Sequence, residues 1–121
     1  MRFSTVAILA LSTVALASAA PVKRANSGHA TFFYQGGNAG SCGTAHSDSD
    51  AVVAISSAKH DSSNCGKWIT ITNTQTGQTT SAQIADTCPT CGTDDIDLSK
   101  GAFNKIGTTE EGEVPVTWHM N

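Results

Sequence analysis

The chain has 121 residues, and its 7 Lys+Arg against 10 Asp+Glu give a formal net charge of −3. That length supports one domain with a modest core. All ten acids but only four lysines (Lys59, Lys67, Lys100 and Lys105) lie beyond residue 24, so the segment from Ala25 onward carries −6. The sequence therefore offers no basic patch, which disfavours nucleic acid and anionic membrane and favours neutral polysaccharides or basic proteins as partners.

Taken in chain order, the N-terminus reads as a targeting segment. Arg2 is a positive n-region, Val6 to Leu16 an apolar h-region, and Ala17-Ser18-Ala19 a small-x-small cleavage pattern. The run is too short to span a membrane, so residues 1–19 are expected to be a secretory signal peptide. Lys23-Arg24 follows as a dibasic processing site. Residues 20–24 are thus expected to be a short propeptide and 25–121 a secreted, extracellular domain.

Beyond Ala25 the pattern is short strands between polar turns. Gly28 to Tyr34 suits a strand, and Gln35 to Gly43 is a Gly/Asn/Ser loop. Ala51 to Ile55 is an apolar run expected to be buried on both faces. Trp68 to Asn73 alternates, with Ile69 and Ile71 on one face and Thr70 and Thr72 on the other. Asn73 to Gly77 reads as a hairpin turn, and Thr79 to Ala85 as the returning strand. One short helix is expected after a Ser99 cap, with Ala102, Phe103 and Ile106 as its apolar stripe and Gly107 as its end. Val114 to Trp118 forms the last strand, where Pro115 predicts a free backbone edge or a bulge. Several short strands and one small helix indicate an all-β barrel or sandwich.

Four cysteines, Cys42, Cys65, Cys88 and Cys91, allow three pairings, of which Cys42–Cys65 with Cys88–Cys91 is favoured. Cys42 and Cys65 do not form a second zinc knuckle. A redox CxxC needs a following helix to lower a thiol pKa, and Gly92 to Asp95 reads as a turn. No cofactor and no metal are expected.

Two acids stand at chemically informative places. Asp86 closes a strand, and Asp97 precedes the helix cap. A turn between Cys88 and Cys91 is expected to hold them near each other. Paired carboxylates can separate their pKa values, as general acid catalysis on a glycosidic oxygen requires. On spacing alone the structural alternative is the stronger: Asp97 braces the helix N-terminus, and Asp86 accepts turn N–H groups.

The string ADTCPTCGTDDIDLSKGAFNKIG, residues 85–107, resembles the signature of expansins, loosenins and rare-lipoprotein-A-like proteins, which share a double-psi β-barrel with barwin. His29 to Tyr34 resembles the first barrel strand of that family. Ser41-Cys42-Gly43 and Asn64-Cys65-Gly66-Lys67 resemble its cysteine loops. The resemblance covers the chain from about Gly28 onward. It implies a six-stranded double-psi β-barrel with one or two short helices, in a secreted protein of expected fungal source. It also implies that Asp97 is the main groove acid, Asp86 the second and Thr31 the first-strand threonine, with Tyr34 the first choice for stacking on a sugar. His60, six residues before Gly66, matches a histidine of the lytic transglycosylase branch. Where related endoglucanases carry a catalytic base, this chain has Gln35, and an amide cannot accept the proton.

The resemblance therefore implies a monomeric protein that binds a cell-wall polysaccharide, cellulose or chitin, through Thr31, Tyr34 and Gln35 and loosens it without hydrolysis. An effector or protease inhibitor on the same barrel is the alternative, using Gln35 to Asp50 and Thr90 to Asp95 as contact loops. A lytic enzyme working through Asp97 and His60 is the third.

Overall fold

The structure, a computed structural model, describes residues 25–121. The expected signal peptide and propeptide lie outside the described residues. Six strands form the architecture: β1 (Asn26–Phe33), β2 (Val52–Ser56), β3 (Trp68–Asn73), β4 (Thr79–Cys88), β5 (Ile96–Ser99) and β6 (Val114–Met120). One helical turn, α1 (Lys100–Phe103), and a 3-10 turn (Ser62–Asn64) complete the elements.

The strands close in the order β1-β5-β2-β4-β3-β6, with β6 returning to β1. Two pairs, β1 with β5 and β2 with β4, run parallel, and the remaining neighbours run antiparallel. Parallel neighbours require long crossovers. The loop after β1, the β3 hairpin and the turn before β5 supply them. Closure leaves no exposed sheet edge.

Period-two alternation builds the core. Ile69 and Ile71 point inward with Ala82, Ile84, Ile96, Leu98, Val114, Val116 and Trp118, and each is essentially inaccessible to solvent. Phe103 closes one end against Phe32, at a ring separation of 5.1 Å. β2 is buried along its whole length, as its unbroken apolar run predicts. The hairpin also forms as expected: Gly77 N donates to Asn73 O at 2.8 Å, and Gly77 takes φ 80°.

Three local expectations need correction. The helix does not reach Gly107. Ser99 caps it by accepting from Ala102 N, but α-helical geometry ends at Phe103, and Ile106 and Gly107 both donate back to Phe103 O. Gly101 passes so close to the loop before β2 that a Cβ there would lie 2.7 Å from Ser49 O. That approach docks the first turn of the helix on the loop.

The second concerns Pro115: of the two arrangements expected, the bulge is absent, and the free backbone edge is present at this one point of an otherwise interior strand. Pro115 faces His29 of β1, and on the other side it stands one residue beyond the last β3 pair, Asn73 with Val116. Its carbonyl accepts from Thr74 N at 3.0 Å, so the missing N–H falls where β3 has already turned away.

The third is the end of β4, which runs three residues further than Ala85, to Cys88. Asp86 therefore lies within a strand and not at its end.

Candidate functional site

Pairing across four strands sets one row of residues on the outer surface. Thr31 on β1 is opposite Asp97 on β5, Asp97 is opposite Ala54 on β2, and Ala54 is opposite Asp86 on β4. Directly opposed residues in a sheet project to the same face. Their neighbours Val53, Ile55, Ile96 and Leu98 all enter the core, so the row faces outward.

Asp86 reaches this row through an irregularity. Val53 pairs with Ile84, yet Ala54 pairs with Asp86, which leaves Ala85 as the extra residue of a bulge. Without it, strict alternation would send Asp86 to the same side as Ile84. The carbonyl of Ala85 accepts from Cys42 N at 3.2 Å, tying the bulge to the loop after β1. That loop touches β4 at Gly40, where a Cβ would lie 2.4 Å from Ala85 O and 2.8 Å from Asp86 Cβ.

The two acids are not adjacent. At the ordinary spacing of strands, their Cα atoms are separated by two steps across β2, roughly 10 Å. The turn between the cysteines does not join them, as had been expected; β2 stands between them. Their surroundings differ as well. Asp86 Oδ1 accepts from Ser41 N and Thr87 N, both at 2.8 Å. Asp97 Oδ1 accepts from the Thr31 hydroxyl at 2.8 Å and from no backbone N–H. It does not brace the helix, a task that Ser99 performs. Burial pushes the Asp97 carboxyl above the usual carboxylate range. The Thr31 hydrogen bond opposes that shift, and the charge of Asp86 adds to it.

Asp97 and Thr31 line a depression of about 230 Å³ together with His29, Cys88, Thr90, Cys91, Gly92, Asp95 and Glu113. The Cys88–Cys91 disulfide forms one wall. Beside it, His29 and Asp95 repeat the Thr31–Asp97 arrangement one step along the strands. Asp95 Oδ1 accepts from His29 N at 2.8 Å and lies 3.6 Å from His29 Nδ1. His29, Asp95 and Glu113 are lining residues that no sequence motif marked as groove residues. The signal for the first two was present, because Asp95-x-Asp97 and His29-x-Thr31 each put two polar groups on one strand face.

The other candidate residues lie elsewhere. His60 is packed on the Cys42–Cys65 disulfide, with Nε2 4.0 Å and 3.9 Å from the two sulfurs. It is absent from the depression, and so is Asp86. Cys42, His60 and Cys65 are mutually close enough to hold a metal, but both sulfurs are already bonded to each other.

Tyr34 is 61% exposed and meets Phe32 edge-on at 5.9 Å, outside the depression. The half-buried Phe33 shares the outer face of β1 with Thr31 by strand alternation. Gln35 is only 5% exposed, and its Oε1 is buried without a partner. Its backbone N and that of Gly36 donate to Asp48 Oδ1 at 2.7 Å and 2.9 Å. Trp68, 45% exposed on β3, is the other large apolar side chain at the surface among the described residues, whereas Trp118 is buried, its Nε1 donating to Asp94 O at 2.8 Å.

This closed mixed barrel has known counterparts. Residues 25–118 match the model of the double-psi β-barrel family described as lytic transglycolase. The chain belongs to that family. It is 36% identical over 89 residues to putative ripening-related protein 6 of Oryza sativa subsp. japonica, covering 69% of this chain and 53% of that one. The papain inhibitor of Streptomyces mobaraensis is 29% identical over 131 residues, 98% of this chain and 91% of the inhibitor.

In structure the barrel is similar to a mutant expansin of Clavibacter michiganensis in complex with cellohexaose, with a TM-score of 0.73, 27% identity, and coverage of 81% of this chain and 50% of the expansin. Against the Streptomyces papain inhibitor structure the TM-score is 0.71 at 29% identity, over 83% of this chain and 96% of the inhibitor. This chain spans about half the length of the ripening-related protein and of the expansin.

Proposed function

We propose that this double-psi β-barrel protein binds a cell-wall polysaccharide, cellulose or chitin, in the depression around Thr31 and Asp97, and loosens it without hydrolysis. The observation that carries this reading is the Thr31–Asp97 pair, 2.8 Å apart in an open depression, on a barrel similar to an expansin in complex with cellohexaose. Sugar hydroxyls both donate and accept, so a hydroxyl beside a carboxyl suits them. The buried amide of Gln35 supports the non-hydrolytic part: it is shut away from solvent and has no basic atom with which to activate water. Secretion accords with the signal pattern of residues 1–19, processing after Arg24, and two disulfides in a domain of this size. Among the described residues no helix is long and apolar enough to cross a membrane.

Incubation with insoluble cellulose and chitin, scoring binding, fibre weakening and sugar release separately, tests the proposal. Wild type is expected to bind and weaken without releasing sugars, and Asp97→Asn to do neither. Release of soluble sugars by the wild type alone would replace loosening with catalysis.

A second reading, a protein partner such as a cysteine protease, is favoured by one observation. The papain inhibitor matches this chain over nearly its whole length, as a single barrel. The loop after β1, clamped by Asp48 and Cys42, would then be the contact surface. Inhibition of papain that persists in Asp97→Asn would select it. The lytic reading retains Asp97 but has no His60 beside it; anhydro-sugar products would be its mark.

A further inference from the structure

The walls of the depression hold more negative charge than a neutral sugar needs. Asp95, Asp97 and Glu113 all contribute to a space of about 230 Å³, and among the described residues His29 is the only basic side chain that lines it. Lys59, which could have balanced the site, is taken by Asp94 at 3.0 Å and Asn26 at 2.9 Å on the adjoining surface. Glu113 has no hydrogen-bond or ion-pair partner among the described residues. Asp97 is answered only by the neutral Thr31 hydroxyl. Within residues 25–121, four lysines against ten carboxylates add a surrounding field of the same sign.

A concave, partly dry wall focuses such a field, so a cation gains more inside the depression than on the open surface. Asp95 immediately precedes β5, two residues before Asp97, so their Cα atoms are at most about 7 Å apart. The carboxylates are therefore distributed along the direction a bound chain could follow, and are not gathered on one point as a metal would require.

We propose that the preferred ligand of this depression is a cationic glycan, chitin deacetylated in part so that its sugar units carry ammonium groups. The proposal rests on the glycan-groove reading above and narrows it to one class of polysaccharide. Asp95 and Glu113 act as charge-selective walls, while Thr31 and Asp97 meet the hydroxyls of the same chain. Anionic glycans such as polygalacturonate are repelled by the same groups.

The test measures retention of the full barrel on chitosan, fully acetylated chitin, cellulose and polygalacturonate in mildly acidic buffer at low and high salt. Chitosan is expected to hold the protein several-fold more tightly than cellulose, with the excess vanishing at high salt, where exposed charges are screened. Asp95→Asn combined with Glu113→Gln is expected to lower the chitosan-to-cellulose ratio several-fold in a barrel that stays folded, because an asparagine amide oxygen can still accept from His29 N. Asp61→Asn with Glu110→Gln, the same charge change elsewhere, is expected to leave the ratio near wild type.

Equal drops in the two double variants would overturn the proposal, because net charge alone would then account for the preference. Salt-insensitive binding of equal strength to chitosan and cellulose would also overturn it, yet leave the groove reading standing. Retention on none of the four glycans would remove both.

Discussion

Asp86 and Asp97 stand in the same outward row, each opposite Ala54, yet they are held in opposite ways. Around Asp86 the chain is closed in. A bulge, a close approach at Gly40, two backbone N–H donors and the nearby Cys42–Cys65 bridge fix the carboxylate as part of the frame. Around Asp97 the chain opens into a depression, and the carboxyl meets only the hydroxyl of Thr31. Identical side chains at equivalent places in a sheet thus take different work. One satisfies backbone donors, and the other meets a single side-chain hydroxyl and no backbone N–H.

That contrast can be broken first at its strongest point. Replacing Cys42 and Cys65 together by serine removes a cross-link between residues 23 apart in sequence. The loss is expected to be about 3 kcal/mol, mainly through the unfolded chain, and is read by denaturant unfolding with and without the bridge. A smaller effect should follow from Asp86→Ala. Two N–H groups lose a charged acceptor there, and a loss of about 2 kcal/mol is expected, with glycan binding by the molecules that remain folded largely preserved.

Asp97→Asn should do the reverse. Burial holds the Asp97 carboxyl above its unfolded value, so the folded state favours the proton. The stability this contributes is fully present below the unfolded pKa and is lost as pH rises through the folded one. Near neutral pH the ionised carboxylate is therefore a burden on the fold. Asp97→Asn is expected to melt slightly higher than wild type there, with the gap closing toward acid, while binding disappears. A lower melting temperature for this variant at neutral pH would place Asp97 in the frame with Asp86.

Thr31→Val should be the mildest. It removes the hydrogen bond that lowers the Asp97 pKa. The carboxyl should titrate at higher pH still, as followed by NMR, with little change in melting temperature.

Much of the fold was legible because it follows from alternation and turn chemistry. Ile69 and Ile71 went inward, Asn73 to Gly77 turned, and Ser99 capped a helix, each for a reason contained within a few residues. The site was less legible. Gln35 and Tyr34 neighbour one another in sequence, yet one is buried and the other projects into solvent, because Asp48 clamps the loop backbone from thirteen residues away. His60 matched a family position, but the segment carrying it docks on a disulfide, so proximity to Asp97 was never a property of its spacing. His29 and Asp95 were missed as a pair because their contact spans 66 residues and arises from the parallel register of β1 with β5.

The sequence by itself determined the class of the protein: a small, acidic, cysteine-bridged chain of short strands, with Asp97 ahead of a helix cap. Those properties are local, set by side-chain alternation, by φ preferences at turns and by composition. Only the tertiary structure decided which residues share a surface. Closure of six strands in a mixed order, and one bulge at Ala85 that turns Asp86 outward, fixed which groups face the depression and which were spent on the frame. Strand register is a long-range quantity, and a shift of one residue reverses every side chain it carries.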